Sequence, residues 1–332
     1  MTATIAETYP ELFHYTDIVG LKGIIESQTL WATHAVYLND ISEIKLFGER
    51  LPDILKPAVA EGIAKLARIP GNQALIAQHG GNQNAVEEIS TGISTSMFNV
   101  LLGTQGTLPF VEPFITSFCT ATTEQIAQHG LLSQWRGYGK EGGYAVVFDT
   151  AKLDSLLKEE NKKWPTNLLF CSDVIYSDDE EKLHLELDQP IKDIKASVTK
   201  WLSMPQNHET LEKTYSPLIQ CACRFKHWGF REENEVRIIS IRPGKELAKE
   251  HEAHARGVTK PCWNFIRAGT PVPCIHLFEE ITSLPGKPLP ITRIIIGPHR
   301  NKDQRRLAVE DLLDQYHLNI EVSVSEIPYV GS

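Results

Sequence analysis

The stretch Glu233-Asn-Glu-Val-Arg-Ile-Ile-Ser-Ile241 constrains the fold of this chain more than any other. Its β-branched run from Glu235 to Ile241 reads as a strand, and alternate side chains of a strand share a face. Glu233, Glu235 and Arg237 then point one way, Val236 and Ile238 the other. Two carboxylates and a guanidinium on one side of an otherwise apolar strand must be wet, cross-linked or used. All three readings are open at this level: a solvated edge, an Arg–Glu tie, or a functional pair of carboxylates.

Other segments supply the partners such a strand needs. Leu12–Tyr15 reads as a short strand, with Thr16 or Asp17 placed to cap a helix carrying Ile18, Leu21 and Ile25 on one face. A strand over Leu30–Thr33 follows, and Asp40 with Glu43 forms a capping-box pattern before a second helix. Residues 55–110 alternate Ala-rich helical pieces with Gly/Asn/Gln loops. Strands are predicted at Phe114–Thr120 and Gly143–Asp149, with Thr150 capping the next helix. Residues 178–223 read as mostly helical, interrupted at Pro190 and Pro205. Strands at Pro271–Phe278, Ile291–Ile296 and Asn319–Val324, with a helix near Asp303–His317 between the last two, close the chain. The expectation is an α+β fold on a mixed or antiparallel β core. It forms a single domain, 1–332, with helical insertions at about 50–112 and 150–223.

Charge and cysteine usage narrow the function classes. The 332 residues carry a net charge of −9, which argues against coating nucleic acid or anionic membrane by bulk electrostatics. The first ten residues show no basic n-region and no stretch is apolar enough to span a bilayer, so a cytoplasmic protein with no membrane partner is expected. Cys119, Cys171, Cys221, Cys223, Cys262 and Cys274 read as reduced thiols, several of them buried. Cys221-Ala-Cys223 with His227 lacks a second ligand pair, and no metal is expected.

Two further clusters carry potential chemistry. Phe13-His14-Tyr15-Thr16 opens a strand–helix–strand unit that returns at Leu30-Trp31-Ala32-Thr33. Trp135, Tyr138 and Tyr144 surround Gly137, Gly139, Gly142 and Gly143, a composition suited to a flexible wall stacking on a planar ring, or to a turn packing its aromatics on the core. A basic stretch, Arg293, His299, Arg300, Lys302, Arg305 and Arg306, reads as a solvated helix start that balances an acidic protein, or as a helix N-terminus that holds the phosphate of a nucleotide or nucleic acid.

Together these pieces resemble a bacterial family of proteins of unknown function. The resemblance rests on His14–Thr16, Gly23–Ile25, Trp31–Thr33, the Leu-Asn-Asp-x-x-Glu motif at Leu38–Glu43, Ser117–Cys119, Trp135–Asp149, Glu233–Arg237, Ile295–Pro298 and Ile327–Tyr329. More remotely the chain is similar to the ADP-ribosyltransferase superfamily, in the branch holding diphtheria-toxin-like enzymes and DarT-like nucleic-acid modifiers. That resemblance implies a β core of ADP-ribosyltransferase type and NAD as the consumed cofactor. It implies His14, with Tyr15 and Thr16 beside it, on the NAD sugars, and Tyr138 or Tyr144, with Trp135, against the nicotinamide. Glu235, or Glu233 in another register, becomes the catalytic acid, and Arg237 a partner for Glu233 or for a phosphate.

The function expected from the resemblance is transfer of ADP-ribose from NAD to a macromolecular acceptor, protein or nucleic acid, in phage defence or a toxin system with a cognate partner. Cleaving the nicotinamide–ribose bond builds an oxocarbenium-like cation, which a preorganised carboxylate stabilises without metal. Two alternatives stay open. One is a non-catalytic nucleotide-sensing or antitoxin-like binding module on the same fold. The other is hydrolysis of a nucleic acid or glycoside by Glu233 and Glu235, whose Cα atoms on a strand would stand about 6.5–7 Å apart.

Overall fold

The computed structural model describes residues 4–38, 42–68, 82–103, 111–138, 142–203, 210, 213–254 and 257–328. Twelve strands are defined in them: β1 Glu11–Thr16, β2 Leu30–His34, β3 Val111–Cys119, β4 Tyr144–Asp149, β5 Leu168–Asp173, β6 Ile175–Tyr176, β7 Phe225–Lys226, β8 Glu235–Pro243, β9 Trp263–Arg267, β10 Thr270–Leu277, β11 Ile291–Ile296 and β12 Glu321–Val324. The fold is mixed α+β. Its main sheet runs β12-β11-β4-β1-β3-β2-β10-β9, with β8 against β3 and β5 against β8. Among the described residues of this sheet only β11 and β12 pair in parallel, and β6 and β7 form a separate parallel pair.

The topology around β3 positions the candidate site. One edge of β3 is paired along its whole length by β8, from Val111 opposite Pro243 to Cys119 opposite Glu235. Its other edge is shared. β1 meets it only at Phe13 opposite Cys119, and β2 only at Thr33 opposite Ile115 and His34 opposite Phe114. Thr116, Ser117 and Phe118 therefore face a gap where the sheet divides. Side chains close it in part: His14 Nδ1 lies 2.9 Å from the Ser117 carbonyl oxygen, and Thr116 Oγ1 donates to the Trp31 carbonyl at 3.1 Å.

Helices cover both faces. Ser42–Leu66, Asn82–Leu102, Glu180–Ser203 and Tyr215–Ala222 build an apolar core with Ile115, Ile239 and Ile241 of β3 and β8. Ile18–Ser27, Thr150–Lys163 and Lys302–Gln315 cover the opposite face over Leu12, Val146, Phe148, Val236, Ile238 and Ile294. A third, small cluster sets Phe13, Tyr15, Ala145, Val147 and Ile295 against Trp135. Strict alternation along β1, β4, β8 and β11 thus divides their side chains between two cores, as the strand period requires.

Some local expectations are met and others revised. Asp17 caps the helix after β1, its Oδ1 accepting the Gly20 N–H at 2.8 Å. Asp149, not Thr150, caps the helix after β4, accepting the Lys152 N–H at 3.0 Å. Pro190 lies inside the helix Glu180–Ser203 instead of ending it, because Leu183, Leu187, Ile194 and Val198 bury one continuous face that outweighs a lost hydrogen bond. Pro205 lies outside the described residues. The stretch 150–223, read as a helical insertion, also contributes β5 to the main sheet, and β9 forms where no strand was expected. All six cysteines are free, and Cys119, Cys221, Cys223 and Cys274 are buried. Among the described residues no helix is long and apolar enough to cross a membrane.

Candidate functional site

A cavity of about 480 Å³ opens at the divided edge of β3, within the roughly 300–1,000 Å³ of ordinary ligand sites. The gap lets residues from both faces of the sheet line one space. His14 alternates with Phe13 and shares its face with Leu12, whereas Cys119 stands opposite both Phe13 and Glu235 and places Glu235 on the other face. Yet His14, Thr16 and Phe118 from one side and Ser117, Cys119, Glu235 and Arg237 from the other all line the cavity.

Its floor is a buried charge cluster. Glu235 is 4 % exposed and Arg237 3 % exposed, so their ionised forms need partners. Arg237 Nε donates to Glu235 Oε1 at 2.7 Å and Nη2 to Oε2 at 3.0 Å. Its Nη1 reaches the Cys223 carbonyl at 2.8 Å, and Nη2 also pairs with Glu43. Lys226, at the end of β7, is the hub: its Nζ lies 2.7 Å from Glu235, 2.7 Å from Glu233 and 3.1 Å from Glu43. Three carboxylates and two cations from four chain segments thus close one network.

The network sets the two candidate acids apart. Burial works against the Glu235 charge, but Arg237 and Lys226 overcome it and bring the carboxyl down to about 2. For Glu233 burial prevails over Lys226, and its carboxyl sits above its ordinary value. The surroundings thus push the two carboxyls in opposite directions, Glu235 down and Glu233 up.

Opposite the acids, His14 is held neutral, because burial lowers its pKa. A carbonyl oxygen only accepts, so Nδ1 carries the proton towards Ser117 and Nε2 keeps a lone pair. Its ring leans on Phe118, centroids 5.7 Å apart. Tyr138 and Phe230, both partly exposed, form the outer wall, and Lys226 lies 4.9 Å from the Phe230 centroid. Arg267 borders the cavity and donates to the Tyr37 carbonyl.

Of the residues singled out from sequence, His14, Tyr15, Thr16, Tyr138, Glu233, Glu235 and Arg237 line this cavity. Trp135 and Tyr144 do not lie among its described lining residues. Trp135 sits in the helix Leu132–Tyr138, is 1 % exposed, meets Tyr15 edge-on at 4.9 Å and donates from Nε1 to the His129 carbonyl. Trp135 thus packs on the core, as one of the two readings of this aromatic segment expects, but from a helix and not from a turn; Gly139 lies outside the described residues. Tyr144 is buried in β4 opposite Thr16, with Arg305 over its ring. Tyr15 spends its hydroxyl on the Leu131 N–H, at 2.8 Å.

Glu233 is not on the strand. It ends a 3-10 turn, Trp228–Glu233, and Asn234 in the left-handed region at φ 41° turns the chain into β8. It reaches the same cavity by that turn, not by strand alternation. Lys226, Phe230 and Arg267 were missed by sequence reasoning. For Lys226 a signal existed: three glutamates against one arginine call for a second buried cation. Glu43, read as half of a capping box, has its carboxylate in the charge cluster, while Asn39 and Asp40 lie outside the described residues.

A mixed α+β protein with a divided sheet and a charged, aromatic-walled cavity in the division is the class these features define. Residues 134–238 match the model of a family described as "Protein of unknown function (DUF2971)". That stretch carries Tyr138, Lys226, Phe230, Glu233, Glu235 and Arg237 but not His14. No curated protein and no solved structure matches the chain.

Proposed function

We propose that this protein is an NAD-dependent ADP-ribosyltransferase whose active site is the cavity in the divided sheet. The observation that carries the reading is the meeting of His14 and Glu235, distant in sequence and on opposite faces of the sheet, in one ligand-sized space. The neutral His14 accepts a ribose hydroxyl at Nε2. Tyr138 and Phe230 flank the nicotinamide ring. Arg267 spends one donor on the Tyr37 carbonyl and offers others to the diphosphate.

In the reaction, the nicotinamide–ribose bond breaks and its electron pair leaves with nicotinamide as a neutral amide. The ionised Glu235 stabilises the positive charge that grows on the ribose. An acceptor nucleophile attacks the anomeric carbon and gives its proton to Glu233, whose carboxyl is pushed above its ordinary value by burial. Lys226, 2.7 Å from both carboxylates, holds the pair together.

One observation favours a second reading. Both oxygens of Glu235 are already engaged by Arg237 and Lys226, the arrangement of a structural tie. This supports a nucleotide-sensing module that binds NAD without consuming it. Labelled NAD incubated with the protein and a bacterial lysate separates the two. Nicotinamide release and label transfer, both lost in Glu235→Gln, support the transferase. Binding without release supports the module, and neither binding nor release removes both.

A further inference from the structure

The strand that borders the mouth of this cavity ends the main sheet among the described residues. β9 pairs with β10 on one side, and no strand pairs its other side among the described residues. The register fixes which backbone groups are unused. Pro271 stands opposite Ile266 and Pro273 opposite Asn264, and a proline has no N–H to exchange. The hydrogen-bonded pairs of an antiparallel ladder alternate with non-bonded ones. The ladder therefore runs through Trp263, Phe265 and Arg267, opposite Cys274, Val272 and Thr270. The N–H and C=O groups of Asn264 and Ile266 point outward.

Natural edges are usually blunted by lysines, prolines or cover. β9, Trp-Asn-Phe-Ile-Arg, has neither lysine nor proline, and Ile266 is 71 % and Trp263 50 % exposed. Phe265, Ile266 and Arg267 also line the cavity, so this edge continues into the site itself. Outward N–H and C=O groups repeating every second residue match the backbone of an extended polypeptide. A nucleic acid has no such repeat, and the chain's charge of −9 disfavours it further.

We infer that β9 docks an extended peptide segment of a protein partner by strand addition, laying it across the cavity mouth. Apolar partner side chains would rest against Ile266 on one face and Trp263 on the other. Where the ADP-ribosyltransferase reading holds, this segment is the acceptor, and the acceptor is a protein; only that last step rests on the reading.

The test uses a phage-displayed random peptide library selected on the full chain, followed by synthesis of the enriched peptides. Asn264→Pro removes one outward N–H and leaves the β10 ladder intact; Asn264→Ala keeps it. The expected result is enriched apolar peptides whose affinity falls at least tenfold in Asn264→Pro and stays within about twofold in Asn264→Ala. Hydrogen exchange should slow at Asn264 and Ile266 when peptide binds. NAD titration of the same variants reports separately on the cavity. No enrichment, equal peptide affinity in Asn264→Pro, or a dimer of this chain that Asn264→Pro dissociates would each overturn the inference.

Discussion

His14 and Ser117 meet across the division of the sheet, with His14 Nδ1 2.9 Å from the Ser117 carbonyl oxygen. The bond does for β3 what a neighbouring strand would otherwise do, occupying a carbonyl that neither β1 nor β2 reaches. It also fixes the imidazole tautomer. At pH 7 His14 should be neutral with its proton on Nδ1, burial having lowered its pKa. Long-range nitrogen–proton NMR correlations read this directly. A charged ring, or the proton on Nε2, would remove the ribose-hydroxyl acceptor from the proposed site.

Lys226 is expected to be the most costly single loss in the cluster. Lys226→Met strips the shared cation from Glu43, Glu233 and Glu235 while all are at least partly buried. Removing one partner of a buried ion pair costs about 3–5 kcal/mol, and urea denaturation should show a loss of that order. Lys226→Arg should recover part of it. A change under about 1 kcal/mol would mean the acids are far better hydrated than their burial indicates.

Acid sensitivity should trace to His34. Its Nδ1 accepts the Val36 N–H at 3.3 Å, and burial, with help from Arg242, lowers its pKa to about 4. The folded value lies below the unfolded one of about 6.5, so the unfolded chain takes up the proton first. The stabilisation is complete above about pH 6.5 and is lost as pH falls towards 4, by about 3 kcal/mol at most. Thermal unfolding between pH 7 and 4 should be steeper in the parent than in His34→Asn. Parallel curves would exclude His34 as the cause.

The strands were readable because apolar alternation and β-branching are local: β1, β2, β4, β8, β10 and β11 fall close to where the sequence places them. β5 and β9 escaped notice because five or six residues of mixed polarity carry little signal until a neighbour pairs with them. The grouping of His14 with Glu233, Glu235 and Arg237 rested on resemblance, and their meeting depends on how β1 and β2 divide one edge of β3. No local pattern encodes that. The surplus of glutamates over Arg237 calls for a second buried cation but does not say which, since Phe225–Lys226 forms only a two-residue strand. Trp135 was misplaced because glycines beside aromatics resemble a loop, whereas the helix Leu132–Tyr138 tolerates Gly137 to bury the indole.

Gly20 offers a structural check near the cavity. A Cβ there would overlap Thr16 Oγ1, and Thr16 ends β1 at the cavity wall. Gly20→Ala should therefore destabilise the fold by about 1–3 kcal/mol despite the better helix propensity of alanine. Gly92, in the helix Asn82–Leu102 with open space around it, should gain up to about 1 kcal/mol from the same change. Denaturant midpoints of the two variants decide it; equal shifts would show that Thr16 yields freely.

In the proposed function one dinucleotide spans His14 and the acidic cluster inside the divided sheet. Calorimetric titration of NAD into the parent protein and into His14→Phe and Tyr138→Ala tests it most directly. Saturable one-to-one binding to the parent is expected, with at least a tenfold loss of affinity in each variant and folding stability little changed in Tyr138→Ala. No measurable binding to the parent, or equal affinity in all three proteins, would contradict it.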